Sequence, residues 1–302
     1  MARAILVVGR SRQLAVALAE AAPAQQLAVQ CVGRPELDFD RPGSVAQVFA
    51  AIGPSLVVNA AAYTAVDAAE DDADGAYRAN RDGPAELALL CEAAGIPLIH
   101  ISTDYVFDGR KGAPYVEADP TSPQGVYGAS KLAGEQAALA ACSRTIVLRT
   151  SWLYSPVGKN FVRTMLSLGQ RNKELRVVAD QHGCPTSAHD LAEAILSIAA
   201  RLLTVGWEEQ YAGIYHAAAS GATTWHAFAV ATFEAAARHG MAPPHVEPIT
   251  TADWPTKMQR PLDSRLDCAK LAAVFGPRLP AWQDGLTRTV DAIFAAPPLS
   301  RV

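Results

Sequence analysis

Short unbroken apolar runs alternate with alanine-rich stretches of helical spacing through the first half of the chain. Ala4–Val8, Leu27–Val32, Ser55–Val58, Pro97–Ile101 and Thr145–Leu148 are continuous and rich in β-branched residues. That is the pattern of strands covered on both faces. Between them the spacing predicts helices near Gln13–Ala21, Ser44–Ile52, Gly75–Ala94 and Gly125–Ala141. Strand and helix alternating in this way predict an α/β fold, a Rossmann-like doubly wound parallel sheet over residues 1–150. Ligands on such sheets bind beyond the carboxyl ends of strands, which singles out Gly9, Ala60–Thr64 and Ser102–Asp104. From Ser151 the rhythm changes. Helical segments near Asn160–Gln170, Ser187–Leu203, Thr224–His239 and Trp282–Ala295 are separated by Pro- and Gly-rich connections. Residues 151–302 are expected to form a smaller C-terminal substrate-binding lobe, with an approximate boundary that the chain is free to recross. The substrate is expected in the cleft between the two parts.

Composition narrows the class. Half of the 302 residues are hydrophobic, 19% are charged and the net charge is −4, a soluble balance that carries no footprint for nucleic acid. The five cysteines, Cys31, Cys91, Cys142, Cys184 and Cys268, are scattered without CxxC spacing. They read as small apolar residues in a reducing compartment. Arg3 followed by apolar Ala4–Val8 imitates the start of a secretion signal, but Arg10 and Arg12 end the run after five residues. Gln210–Phe233 has no Asp, Glu, Lys or Arg over 24 positions, near the length of a membrane span. Its internal Gly213, His216, Ser220-Gly221 and Thr223-Thr224 predict a strand, turn and helix instead. No membrane association is expected, and the expected location is the cytoplasm.

The chemistry lies in two segments, Ser102-Thr103-Asp104-Tyr105-Val106-Phe107 and Tyr127-Gly128-Ala129-Ser130-Lys131. Positions i and i+4 share a helix face, so the Tyr127 phenol and the Lys131 ammonium project into one site. A phenol ordinarily titrates near 10, so a nearby ammonium is expected to favour its anion. Thr103 would orient a substrate carbonyl, Tyr127 would exchange a proton with it, and Lys131 would also reach a cofactor ribose.

Gly9-Arg10-Ser11-Arg12-Gln13-Leu14-Ala15 stands where a GxxGxxG turn would join the first strand to the first helix. Only the first glycine is present. Arg12 replaces the second, giving up backbone freedom and bringing a cation near phosphates at a helix N-terminus. Ala15 replaces the third, a mild change. After the second strand there is no acid to bind ribose hydroxyls until Glu36, whereas Arg34 suits a 2′-phosphate. The expected cofactor is therefore NADPH, with NADH possible. In Asn59-Ala60-Ala61-Ala62-Tyr63-Thr64 the small side chains admit either a flat nucleotide or tight helix packing. Asn80 reads equally as an anchor for backbone beneath the active site or as a satisfied helix-bend residue. Asp67–Asp74 reads as a solvated helix face, and the seven histidines lack metal-ligand spacing, so no metal is expected.

Taken together, these segments resemble the extended short-chain dehydrogenase/reductases, and within them the dTDP-4-dehydrorhamnose reductases. The resemblance runs nearly the full length. Its further marks are Val58–Asp67, Arg149-Thr150-Ser151-Trp152-Leu153-Tyr154, Asp180–Thr186 and Arg260–Leu266. It implies a catalytic triad of Thr103, Tyr127 and Lys131. It implies that Gly9, Arg12, Gln13, Leu14, Asp38, Phe39, Ala61, Ala62, Tyr63 and Thr64 line the cofactor, with Arg34 near its 2′-phosphate. Thr103, Asp104 and Trp152 would touch a deoxysugar, and Arg260 its diphosphate, where a guanidinium forms forked hydrogen bonds. The implied reaction is reduction of the 4-keto group of dTDP-4-dehydro-L-rhamnose, the last step in making a sugar donor for surface carbohydrate such as O-antigen. Some members hold Mg²⁺ at a dimer interface through glutamates. The counterparts here are Ala17, His189 and Ala292, which argues against a metal-bridged dimer and leaves monomer and homodimer open. Three alternatives also remain open: a silent nucleotide-binding regulator such as the related regulatory subunit of methionine adenosyltransferase, another NAD(P)-dependent sugar-nucleotide reductase, and an epimerase or dehydratase that retains NAD⁺. The face of hydride attack, which separates rhamnose from 6-deoxy-talose, is open as well.

Overall fold

The computed structural model describes residues 4–296. Arg3, part of the N-terminal pattern above, lies outside them, as do residues 297–302. Six parallel strands form the central sheet: β1 Ala4–Val8, β2 Ala28–Val32, β3 Leu56–Asn59, β4 Leu98–Thr103, β5 Thr145–Thr150 and β6 Gly213–His216, in the order β6-β5-β4-β3-β1-β2. The order reverses beside β1, so the crevice at the carboxyl ends of β1 and β3 is the expected ligand position.

Alternate residues of one strand feed opposite faces of the sheet. Ile5, Val7, Leu56, Val58, Ile146 and Leu148 belong to one apolar cluster, and Leu6, Val8, Val57 and Leu98 to another. The first cluster is closed by α1 (Gln13–Ala21) and by Ala188–Thr204, and the second by α2 (Ser44–Ile52), α3 (Gly83–Ala94) and α4 (Val126–Ala141). Each such side chain, fully buried, contributes roughly 1.5–3 kcal/mol. Strand β2 is the sheet edge and is only partly covered, so its continuous apolar run overstates its burial.

The predicted helix over Gly75–Ala94 is interrupted. Ala73–Tyr77 passes into a π-helical turn, Arg78–Asp82, before α3 begins. Asn80 sits in that turn, fully buried, and wide turns of this kind recur at functional sites.

Beyond β5 the chain forms α5 (Phe161–Gly169), recrosses with α6 (Ala188–Thr204) and β6, and continues with α7 (Trp225–Ala237) and α8 (Trp282–Ala295). Helices α5, α7 and α8 enclose a separate apolar cluster around Tyr154, Phe228 and Trp282. A parallel pair, Glu174–Val178 with His245–Ile249, and a short helix, Ala269–Phe275, were not anticipated by the periodicity. The uncharged segment Gln210–Phe233 contains β6, a short strand Thr223–Thr224 and most of α7. Among the described residues no helix is long and apolar enough to cross a membrane.

Candidate active site

Strand β4 delivers Ser102 and Thr103 at its carboxyl end, and helix α4 brings Tyr127 in its first turn with Lys131 one turn later. The helix approaches the turn that follows β4 closely at Gly128. A Cβ there would meet the Tyr105 carbonyl oxygen at 2.2 Å, which explains the glycine inside this motif. Thr103 is buried; its hydroxyl donates to Asp104 Oδ1 at 3.0 Å and accepts from the Tyr105 amide at 3.3 Å. Burial pushes the Tyr127 phenol up to about 12, with the neighbouring Thr103 hydroxyl pulling it back. Burial pushes Lys131 down to about 8, and the Glu135 carboxylate pulls it up. Lys131 Nζ donates to the Ile101 carbonyl at 2.6 Å. The expected lowering of the phenol by the ammonium is therefore not what this geometry does. Lys131 commits one of its three donors to backbone, and burial favours the neutral form of Tyr127, the form that donates a proton. Burial also raises Asp104 to about 6, opposed by bonds from Ser264 and Thr103.

These residues line one end of a cavity of about 420 Å³, together with Arg12, Gln13, Leu14, Ala61, Ala62, Thr64 and Trp152. A second cavity of about 510 Å³ shares Ser11, Arg12, Ala61, Ala62 and Thr64 with the first, and adds Gly9, Arg34, Phe39 and Tyr63. Gly9 turns the chain at φ +127°, a conformation open to glycine. Arg12 is the N-cap of α1 and lines both cavities. Ala15, in place of a glycine, is fully buried and so still permits close packing. Asp38 is not a lining residue; its carboxylate accepts from Arg34 Nε at 2.7 Å. Arg34 also pairs with Asp40, so the guanidinium reaches the cavity already compensated.

Asn80 does anchor backbone at this site. Its Oδ1 accepts from the Tyr63 amide at 2.8 Å, and its Nδ2 donates to Ser130 Oγ at 3.0 Å and to the Tyr63 carbonyl at 3.2 Å. Trp152 occupies the left-handed region at φ 48°, a strained place for a bulky residue. It is held there by Trp225, stacked at 3.5 Å between centroids and 5° between planes, and by a bond from its indole N–H to Ser264 Oγ at 3.1 Å. Sequence reasoning missed Trp225, Ser264, Thr150 and the cavity-lining Lys159. Thr150 and Ser264 stand within segments that carry the resemblance, yet nothing local gives them a role, and Trp225 and Lys159 carry no local mark because each acts from a different segment.

One expectation needs correction. The acidic stretch Asp67–Asp74 is a clasp and not simply a solvated face. Asp67 accepts from Arg260 Nη2 at 2.6 Å and from the Met258 amide at 3.1 Å, and Asp71 pairs with Lys257. Glu70 accepts from the Val126 amide at the start of α4, 2.8 Å away. Arg260 is thus held by Asp67 and lines neither cavity. Ala17, His189 and Ala292 line one shared cavity of about 320 Å³, where only His189 of the three carries a metal-ligating side chain.

A dinucleotide fits what is present. Two buried polar atoms without a partner among the described residues, Gln13 Oε1 and Thr150 Oγ1, belong to residues lining the catalytic cavity. The two joined cavities meet at Arg12 on a helix N-terminus, where a diphosphate is favoured.

The family model described as RmlD substrate binding domain matches residues 3–294. The dTDP-4-dehydrorhamnose reductase of Sinorhizobium fredii is 44% identical over 290 residues, 96% of this chain and 97% of the relative. The crystal structure of a dTDP-4-dehydrorhamnose reductase from Clostridium acetobutylicum superposes with a TM-score of 0.88 at 35% identity, covering 96% of this chain and 99% of the other. That of Bacillus anthracis, solved in complex with NADP, gives 0.88 at 34% identity over 97% and 100%. Matched almost end to end by that model, and by relatives and structures of one name, the chain belongs to the RmlD family of dTDP-4-dehydrorhamnose reductases.

Proposed function

We propose that this protein reduces the 4-keto group of dTDP-4-dehydro-L-rhamnose to give dTDP-L-rhamnose, with NADPH as cofactor and Tyr127 as proton donor. The observation that carries this reading is the convergence of Thr103, Tyr127 and Lys131 on a cavity that continues into a second one lined by Gly9, Arg12 and Arg34. When bound, NADPH supplies the hydride for the carbonyl carbon.

The chain's own residues do the rest. Thr103 donates to the carbonyl oxygen and so fixes which atom faces the phenol. Tyr127, kept neutral by burial, passes its proton to that oxygen as negative charge develops there. Lys131, while charged, stabilises the phenolate left behind and holds a ribose hydroxyl. Arg12, Gln13 and Leu14 sit at the diphosphate, and Ala61, Ala62, Tyr63 and Thr64 flank the nucleotide, with Tyr63 steadied by Asn80. Phe39 lines the adenosine end. Arg34, positioned by Asp38 and Asp40, reads the 2′-phosphate. Asp104 and Trp152 contact the deoxysugar. Arg260 reaches the sugar-nucleotide diphosphate once it leaves Asp67. None of these steps calls on a metal, and we place the reaction in the cytoplasm.

The test is incubation of the purified protein with NADPH and the ketosugar nucleotide. Consumption of NADPH with formation of a dTDP-6-deoxysugar is expected, and NMR of the product assigns C4 as rhamnose or 6-deoxy-talose. No consumption together with no NADPH binding would end the reductase reading in favour of a silent regulator. Tightly co-purified NAD⁺ would point to an epimerase.

A further inference from the structure

Helix α4 carries a third functional side chain on the face of Tyr127 and Lys131. Glu135 lies one turn beyond Lys131 and is 1% exposed. Its Oε1 accepts from Ser102 Oγ at 2.5 Å and from Arg149 Nε at 2.9 Å, and its Oε2 accepts from Arg149 Nη2 at 2.6 Å. One carboxylate therefore ties α4 to β4, at the residue before Thr103, and to β5, at the residue before Thr150.

Stability alone does not account for this arrangement. Removing two ions from water is unfavourable enough that apolar side chains of similar volume often hold a fold as well or better. The guanidinium is also incompletely satisfied, since Arg149 Nη1 has no partner among the described residues.

We propose that Glu135 is a positioning residue of the reductase site: through Ser102 and Arg149 it sets the end of β4 against α4, and it places a carboxylate one helical turn from the Lys131 ammonium. This rests on the reading of Tyr127 and Lys131 as catalytic. Of the ionisable groups around Lys131, Tyr127 and Glu135 stand on its own helix, His100 and Asp104 on or beside β4, and Arg149 on β5. His100 is held neutral, its imidazole pushed well below its ordinary range by burial and by Lys131 itself. Its Nδ1 is paired with Asn59 Nδ2 at 3.1 Å. Asp104 acts on Tyr127. Glu135 is the group that opposes the burial of the Lys131 ammonium.

The decisive variant replaces both ions, Glu135→Leu with Arg149→Met, because it removes the pair whole and leaves the Lys131 ammonium as the group that reports the loss. It is expected to fold with a melting temperature at or above the wild type. The Lys131 amine, followed by NMR in ¹⁵N-lysine-labelled protein, is expected to titrate about one pH unit lower. The alkaline limb of kcat should move down with it while KM changes little. Coincident Lys131 titrations and pH profiles would overturn the proposal and leave the pair as packing. Ser102→Ala tests the positioning arm without touching an ion. It is expected to lower kcat roughly tenfold with the alkaline limb unmoved, and an unchanged kcat would overturn that arm. The NMR titration needs no substrate. It therefore decides the proposal even where the wild type fails to reduce the ketosugar, a failure that would count against the reductase reading instead.

Discussion

The two ends of the cleft are built on opposite physical plans. At the catalytic end Ser102, Thr103, Asp104, Lys131 and Glu135 are all buried, and their polar atoms are bonded largely to one another. At the adenosine end the charges sit in solvent. Arg10 pairs with Glu36, Arg34 with Asp38 and Asp40, and Arg78 with Asp40, through side chains 24–64% exposed. Exposed pairs contribute about 0–1 kcal/mol each and are screened by salt, whereas a buried group that loses its partner costs about 1–3 kcal/mol. The cofactor end therefore tolerates Arg12 where a glycine is expected, because an exposed cation tunes cofactor binding without holding the fold together, while Ala15 is buried and is tolerated because one methyl still permits close packing. The catalytic end has no such freedom.

The sharpest way to break this contrast is Tyr127→Phe. It should lower kcat by about 10²–10⁴-fold while leaving NADPH affinity nearly unchanged, by steady-state kinetics and fluorescence titration. Turnover within a few-fold of wild type would move the proton donor elsewhere. Asn80→Ala should lower unfolding free energy by about 1–3 kcal/mol, because the Tyr63 amide and carbonyl and the Ser130 hydroxyl lose a buried partner. Urea unfolding checks this, and an effect within experimental error would show that water replaces the amide.

Asp104 gives a pH-dependent test of the buried plan. Its carboxyl is raised from 3.8 to about 6 in the fold. Its contribution to stability is therefore complete while it is protonated in both states and is lost as pH rises through about 6. Asp104→Asn should stabilise the protein by about 1–3 kcal/mol at neutral pH and by almost nothing below the unfolded pKa, where both side chains are neutral. An equal gain at both pH values would contradict the burial argument. The smallest effect belongs to the exposed end. Arg34→Ala should weaken NADPH by about tenfold or less and NADH hardly at all, with the difference shrinking in high salt. Equal losses for both cofactors would show that Arg34 does not read the 2′-phosphate.

Much of this molecule was legible from local pattern. The five strand predictions in the first half fall within two residues of β1–β5, because a strand covered on both faces has to be continuously apolar. Tyr127 and Lys131 were legible because their relation is four residues on one helix. Less legible was the Asp67–Asp74 stretch, since a run of acids looks alike whether it faces water or a partner. Its partners Lys257 and Arg260 lie 186 and 193 residues away. Trp225 was invisible as the support of Trp152, because nothing in either segment refers to the other.

The sequence by itself determined the order of strands and helices, the hydroxyl-rich end of β4 and the spacing of phenol and ammonium on α4. All of these depend on periods of two or about four residues that any window of the chain carries. Only the tertiary structure decided that β6 recrosses to pair with β5, that a π-helical turn presents Asn80 to Tyr63, and that Glu135 joins Ser102 to Arg149. It also decided the ionisation of the site. The same tyrosine and lysine titrate at their ordinary values in water, and their shift to about 12 and about 8 comes from burial, which exists only once distant segments have closed around them.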